Sequence, residues 1–246
     1  MRRLTVMVSL LVLLGMACTW SVQTFPTTTE IPTQPQPKQT EIPDSAPTQD
    51  LEGPDINYNG IRFTLDPVLG ERLYAFSDEI SIDGKTAHNI RFALTPEEYC
   101  QTWCLIIYPV AEFEHAFGSF VFPPAGYRGG AAVIFEAQKT TFSFQNGSGD
   151  RSLEAFGQSQ YGVSNESLKY VFRGYTMNKQ YAVYVQIPIH ATNLPDTAPT
   201  MAFNSQEVLD YNRTATETMN ALSPADFTPD LDLLDALVQS MDIETP

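Results

Sequence analysis

Residues 168–188 read LKYVFRGYTMNKQYAVYVQIP, and this stretch decides the fold class. Apolar side chains occupy every second position from Leu168 to Phe172 and again from Tyr181 to Ile187. A period of two residues is that of a β-strand with one face turned to a core. The connection GYTMNKQ (174–180) is typical of a hairpin loop. The stretch therefore predicts two neighbouring antiparallel strands.

Further strands precede this hairpin. The segment HNIRFAL (88–94) alternates, and so does the segment from Thr140 to Phe144. The apolar, branched run WCLIIYPV (103–110) fits a central strand. Asn59-Gly60 stands between apolar residues and predicts a hairpin or the entry to a strand.

Helical signals follow at the end of the chain. Asn204 and Glu207 have the spacing of a capping pair, and apolar residues at helical spacing follow them. A second helix is predicted after Ser223-Pro224, with one apolar stripe. AEFEHAFG (111–118) predicts a shorter helix, and Thr95-Pro96 predicts a helical turn. The fold class predicted is α+β: an antiparallel β-sheet with helices packed on it, two of them C-terminal.

The first residues read MRRLTVMVSLLVLLGMAC, two arginines followed by an apolar run and small residues. This order predicts a signal peptide over residues 1–17. Gly15-Met16-Ala17-Cys18 resembles the bacterial lipobox, although Gly15 stands where a leucine is usual. We therefore expect lipidation of Cys18 and anchoring to the outer face of a membrane. An ordinary cleaved signal, giving a secreted protein, is the alternative.

Residues 18–54 are rich in Thr, Pro and Gln and show no apolar periodicity. Such a composition cannot bury enough surface to offset the entropy of ordering, so it predicts a disordered tether. Residues 55–246 are then long enough for a single globular domain with its own core. A lipid anchor and a spacer together would hold this domain away from a membrane.

The formal net charge is −15, from 29 acidic and 14 basic residues. Nucleic acid is therefore not an expected partner, because few cations are present to replace its counterions. The partners left open are a protein, a peptide or a small ligand. No cofactor is predicted from the composition or the motifs.

Two cysteines remain if Cys18 is lipidated, Cys100 and Cys104. A lone C-x3-C lacks the second pair of ligands of a zinc site, so no metal site is predicted. Export favours a disulfide between the two. On one extended strand they would lie about 13 Å apart, so the bond requires a turn or helical bend between them.

The segment FSFQNGSGDR (142–151) contains an exposed-looking serine and an arginine. A hydrolase with Ser148 as nucleophile is one interpretation, but the spacing lacks the G-x-S-x-G of a nucleophile elbow. None of the three histidines stands in a catalytic context. A turn at Ser148 needs fewer assumptions, because glycine accepts positive φ. Arg151 is expected to fold inward onto a carboxylate or a carbonyl, or to contact a ligand.

Tyrosines concentrate in the second half of the chain, and Tyr161 and Tyr175 are candidates for a binding surface, together with Arg151. The alternative is that these rings fill the core, since strands favour tyrosine. Three Asn-x-Ser/Thr patterns, at Asn146, Asn165 and Asn212, are interpreted as chance matches to the glycosylation signal.

Four motifs follow one another along the chain: F-x-N-G-S-G-x-R, Y-x-F-x-G-x-T, Y-x-V-x-x-x-x-P and F-x-P-x-L-x-x-L-D-x-L-V-x-S. In this order they resemble an uncharacterised family of exported bacterial proteins, with Asn178-Lys179 where that family has Asp-Gly. The segments GIRFTLDP (60–67) and VQSMDI (238–243) are similar to the frame of PsbP-like α/β/α sandwiches. The first resemblance implies no activity, and the second implies a fold.

The function expected from these observations is that of a membrane-anchored extracytoplasmic domain. It would bind a partner or assist an envelope complex without catalysis. The alternative is the hydrolase with Ser148.

Overall fold

The computed structural model describes residues 49–96, 103–122 and 131–244. Within these ranges the strands are β1 Gln49–Glu52, β2 Asp55–Tyr58, β3 Ile61–Thr64, β4 Arg72–Ile82, β5 Lys85–Ala93, β6 Cys104–Pro109, β7 Ala132–Phe144, β8 Gly147–Gly157, β9 Lys169–Thr176, β10 Tyr181–Pro188, β11 His190–Ala191, β12 Phe227–Thr228 and β13 Asp242–Ile243. The helices are α1 Val110–Phe117, α2 Gln206–Asn220 and α3 Leu231–Gln239.

Eight strands form the main sheet, in the order β1-β4-β5-β6-β10-β9-β8-β7. Every neighbouring pair is antiparallel. The hairpin predicted from residues 168–188 is present as β9 and β10, and Ala182 pairs with Tyr175 near its tip. The fold is therefore an α+β arrangement built on an antiparallel sheet.

The sheet buries side chains on both faces, and this explains the uninterrupted apolar run of β6. Leu105 and Ile107 enter the larger core, which also contains buried residues of α2 and α3. Cys104, Ile106 and Tyr108 enter a second core with Phe113 of α1. We call these two sides the α2–α3 face and the α1 face. A strand that is covered on both sides loses the alternating pattern.

A small sheet in the order β13-β3-β2 ties the C-terminal end of the described chain to its start. The predicted turn Asn59-Gly60 joins β2 to β3, and both residues have positive φ, 48° and 74°. Arg62 of β3 binds Asp242 at 2.6 Å and Glu244 at 2.5 Å. These pairs are exposed, so backbone pairing contributes more than charge to this junction.

The domain begins earlier than the sequence predicts. Gln49–Glu52, assigned above to the tether, form the edge strand β1 on β4. Leu51 is buried, and the flanking Asp50 and Glu52 both bind Arg72. One apolar side chain between charged neighbours is too weak a pattern to predict a strand, because the pairing partner lies 20 residues away.

Two local predictions need correction. Ser205, not Asn204, is the N-cap of α2, and its side chain accepts a hydrogen bond from the N–H of Val208. Ser148 is not a turn residue, because the turn is formed by Gln145 and Asn146 and Ser148 lies inside β8. The helical turn predicted after Thr95-Pro96 falls outside the described residues and stays a prediction.

Gly149 is required by close packing rather than by positive φ. It lies opposite Gly174 of β9, and a Cβ on Gly149 would come within 2.3 Å of the carbonyl oxygen of Arg173. The Phe172 ring covers both glycines, and a Cβ added to either one would lie 2.7 Å from this ring. The Phe172 ring therefore fills the space on the α2–α3 face that larger side chains at positions 149 and 174 would occupy.

Candidate functional site

Arg151, the residue that the sequence singles out, lies inside the molecule. It belongs to β8 and is 7% exposed, on the α2–α3 face. Its Nη1 donates to the carbonyl oxygen of Gln138 at 2.6 Å, and its Nη2 donates to Oδ2 of Asp235 at 3.2 Å. The guanidinium thus binds both kinds of acceptor considered above, a carbonyl and a carboxylate.

The carbonyl of Gln138 faces Arg151 because β7 is irregular there. The β7–β8 register shifts between Ala137 and Thr140, and Gln138 has a φ of 53°. Its N–H donates to Oδ1 of Asn220 at 2.6 Å, and its side-chain amide donates to the carbonyl oxygen of Met219 at 2.7 Å. The bulge therefore fixes the C-terminal end of α2 on the sheet.

Asp235 connects this cluster to α3. Tyr170 of β9 donates its hydroxyl to Oδ1 of Asp235 at 2.9 Å. Burial raises the pKa of Asp235, while Arg151 opposes that shift. Burial and the nearby Asp235 carboxylate raise the pKa of Tyr170 well above its ordinary value. Tyr170 is thus a neutral donor, and the cluster joins three strands, β7, β8 and β9, to the two helices α2 and α3.

Ser148 has no catalytic surroundings in the part of the chain that the structure describes. It lies opposite Ser143 of β7 and Tyr175 of β9, and its side chain is exposed. Among the described residues its hydroxyl makes no hydrogen bond. One of the three histidines, His88, binds a different residue, because its Nδ1 lies 2.7 Å from Oε1 of Glu112. Within the described ranges, therefore, no histidine or carboxylate is hydrogen-bonded to Ser148 as a general base would be.

Tyr175 belongs to an aromatic cluster that reaches the surface on the α1 face. Its ring lies 5.2 Å from Phe122 and 6.1 Å from Phe120, centroid to centroid. Phe120 contacts the buried Tyr108 and Phe113 at 5.5 and 5.8 Å. Partial burial, with Glu114 nearby, raises the pKa of Tyr175.

The exposed end of this cluster forms a candidate contact surface. Phe120, Phe122 and Tyr175 are each half-buried, and Val121 between the two phenylalanines is 62% exposed. We call these four residues the aromatic patch. Half-buried rings that touch one another expose apolar area in one place, which is a common feature of protein contact sites.

Tyr161 does not belong to the aromatic patch. Its hydroxyl donates to the carbonyl oxygen of Phe156 at 2.9 Å, and its ring packs so closely on Gly157 that a Cβ there would lie 2.7 Å from it. Burial raises the pKa of the Tyr161 phenol. The structure therefore places the three binding candidates in three different environments: Arg151 inside, Tyr161 against a strand end, and Tyr175 in the patch.

Two ion pairs with buried carboxylates on the α1 face have no counterpart among the sequence predictions. Nε of Arg91 lies 2.5 Å from Oδ2 of Asp78, and both residues are at most 5% exposed. Arg173 binds Glu154 through two hydrogen bonds of 2.5 and 2.8 Å, and Glu154 is 1% exposed. Arg91 and Glu154 each stand between two apolar residues of a strand, and this is the signal that could have indicated the pairs.

The three asparagines of the glycosylation patterns all bind backbone groups. Nδ2 of Asn146 donates to Ile243 at 2.7 Å, that of Asn165 to Leu194 at 3.0 Å and that of Asn212 to Tyr161 at 2.9 Å. Each amide nitrogen thus fixes a distant segment, which accounts for these residues without any modification.

The cysteine predictions fall mostly outside the described residues. Cys104 is a buried residue at the start of β6, whereas Cys18 and Cys100 lie outside the described ranges. The lipidation and the disulfide therefore stay predictions. Within the described ranges no group of three or more His, Cys, Asp or Glu side chains could hold a metal ion.

A shallow cavity of about 180 Å³ lies between α3 and the loop that follows β3. Its lining is mainly apolar and includes Leu65, Pro67, Leu233 and Leu237. Ligand pockets usually have volumes of about 300–1,000 Å³, so this cavity is small for a ligand site.

Among the described residues, none of the helices combines the length and the apolar character needed to cross a membrane. In comparisons with known proteins, no family model matches the chain, and no curated protein or solved structure matches it significantly.

Proposed function

We propose that this protein is a membrane-anchored extracytoplasmic domain that binds a protein partner through the aromatic patch and acts by binding rather than by catalysis. The signal-like start and Cys18 support the anchor. The Thr/Pro/Gln-rich segment before Gln49 supports a spacer that gives the domain reach from the membrane. A role in assisting an envelope complex follows from that location.

The observation that carries the binding proposal is the contact of Phe120, Phe122 and Tyr175 at the surface, with Val121 exposed between the two phenylalanines. Glu114 lies near Tyr175, so the proposed partner presents apolar side chains beside a basic residue. A protein partner is favoured over a small ligand because the patch is an open surface.

The fold belongs, in this proposal, with the PsbP-like α/β/α sandwiches, and the chain with the exported bacterial family that its motifs resemble. Support for the sandwich is that α1 packs on one face of the main sheet while α2 and α3 pack on the other. The four motifs fall in chain order mainly on β8, β9, β10 and α3, so three of them lie on neighbouring strands of the main sheet.

The test is affinity capture from detergent-solubilised membranes with three forms of the full chain: wild type, Tyr175→Ser and Met177→Ser. Met177 is the matched control because it lies two residues from Tyr175 and is 80% exposed. The proposal is supported if a protein is captured by wild type and by Met177→Ser and the amount captured by Tyr175→Ser is at least tenfold lower. Equal capture by all three forms overturns it.

A further inference from the structure

In the part of the chain that the structure describes, strand β7 is the longer of the two edges of the main sheet. It contains 13 residues, whereas β1 at the opposite edge contains four. An edge strand presents backbone N–H and C=O groups that lack a strand partner, and such groups can pair with another chain. How each part of β7 is covered therefore decides where such pairing could occur.

The first half of β7 is covered and irregular. The carbonyl oxygen of Glu136 accepts a hydrogen bond from Thr216 of α2 at 3.3 Å, and the N–H of Gln138 donates to Asn220 at 2.6 Å. Register shifts interrupt the β7–β8 ladder between Val133 and Phe135 and between Ala137 and Thr140. Bulges and a covering helix both prevent pairing at an edge.

The second half, residues 140–144, is regular, and no other described strand pairs with its outer side. Its pairing with β8 runs without a shift from Thr140 to Phe144. Among the described residues, the backbone of 140–144 makes no hydrogen bond outside the β7–β8 ladder. Thr140, Thr141 and Ser143 are exposed, and the segment TTFSF contains no charge.

We propose that residues 140–144 pair antiparallel with the same residues of a second copy of this chain, about a two-fold axis at Phe142. In this register Phe142 lies opposite Phe142 of the second copy, and Thr141 lies opposite Ser143 of the second copy. The main sheets of the two molecules would then continue into each other.

Two observations favour a second copy as the occupant. Residues 140–144 carry no charge, so pairing them with the same residues of a second copy sets no like charges directly opposite each other, even though the whole chain has a net charge of −15. Phe142 is half-buried and stacks on Phe172 at 5.2 Å. A second Phe142 across the axis would cover its remaining side, and aromatic cross-strand pairs stabilise sheets.

The test uses two differently tagged copies of the full chain, expressed together and captured through one tag after solubilisation. We expect capture of the second tag, and at least a tenfold loss when both copies carry Thr141→Lys and Ser143→Lys. Both positions are exposed, so like charges are added without filling the core. Met177→Lys in both copies is the control and should not change capture. Absence of capture, or capture that the two lysines leave unchanged, overturns the proposal.

A cysteine cross-link tests the register independently of whether the lysine variant folds. One copy carries Thr141→Cys and the other Ser143→Cys, and oxidation should join the two tags. The control is Thr141→Cys in both copies. The two cysteines at position 141 are not directly opposite each other in this register, so they should cross-link much less. A cross-link that is absent in the first pair, or equal in the two pairs, contradicts the pairing.

Discussion

The guanidinium of Arg151 on β8 and the carboxylate of Asp235 on α3 lie 3.2 Å apart, and both side chains are at most 15% exposed. Through this contact the sheet holds the last helix of the described chain. Arg151 also holds the bulge at Gln138, and Asp235 also accepts the hydroxyl of Tyr170. A residue that the sequence offers as a ligand contact is therefore part of the internal framework.

Arg151→Met should destabilise the domain strongly. It leaves the Asp235 carboxylate buried without its cation, and removing one partner of a buried ion pair costs about 3–5 kcal/mol. The double variant Arg151→Met/Asp235→Leu removes both charges and should recover part of that loss, because the Gln138 carbonyl and the Tyr170 hydroxyl still lose their partners. Urea unfolding of the three proteins measures this, and a double variant no more stable than Arg151→Met would contradict the account.

The stability that Asp235 contributes should depend on pH. Burial raises the pKa of Asp235 in the folded state, so the folded protein binds this proton more tightly than the unfolded chain does. That stabilisation is fully present below the unfolded pKa, about 3.9, and is lost as pH rises through the folded pKa. The free energy of unfolding of wild type minus that of Asp235→Asn should therefore fall from about pH 3.5 towards neutral pH. A difference that stays constant or grows with pH would show that the pKa is not raised.

Gly149→Ala should destabilise the sheet although it adds only one methyl group. The new Cβ would lie 2.3 Å from the carbonyl oxygen of Arg173 and 2.7 Å from the Phe172 ring. Overpacking of this kind typically costs about 1–3 kcal/mol. Ser148→Ala, one residue away and exposed, is the matched control and should change the unfolding free energy by less than about 0.5 kcal/mol. Thermal and urea unfolding should show a larger loss of stability for Gly149→Ala than for Ser148→Ala, and equal losses would contradict the packing argument.

The elements that the sequence predicts well are those with a local signal. Alternation from Tyr181 to Ile187 predicts β10, and the Asn59-Gly60 turn predicts the β2–β3 hairpin. The bulge at Gln138 has no such signal, because its acceptor and donor partners lie on β8 and α2. Local propensity cannot show a conformation that distant contacts hold.

The site is predictable only in part for the same reason. The inward position of Arg151 follows from the chemistry of its five donors, but its partner Asp235 stands 84 residues away. The flanking glycines favour a turn at Ser148, whereas the structure requires Gly149 for the approach of Phe172. The aromatic patch joins Phe120 and Phe122 to Tyr175, and only the folded sheet brings these residues together.

Attachment to a membrane is a separate prediction. Cys18→Ser should move the protein from the membrane fraction to the soluble fraction, because lipid cannot be added to serine in a thioether linkage. Fractionation of cells that express each form measures this. A Cys18→Ser protein that stays with the membrane would contradict lipidation at this position.

The central claim is that the anchored domain meets a protein partner at the aromatic patch. Its most direct test is photo-cross-linking in intact cells, with the full chain carrying a benzoylphenylalanine in place of Tyr175 and, in a second strain, in place of Met177. The account predicts a discrete adduct in the membrane fraction from position 175 and none from position 177. No adduct at 175, or the same adduct from both positions, would contradict it.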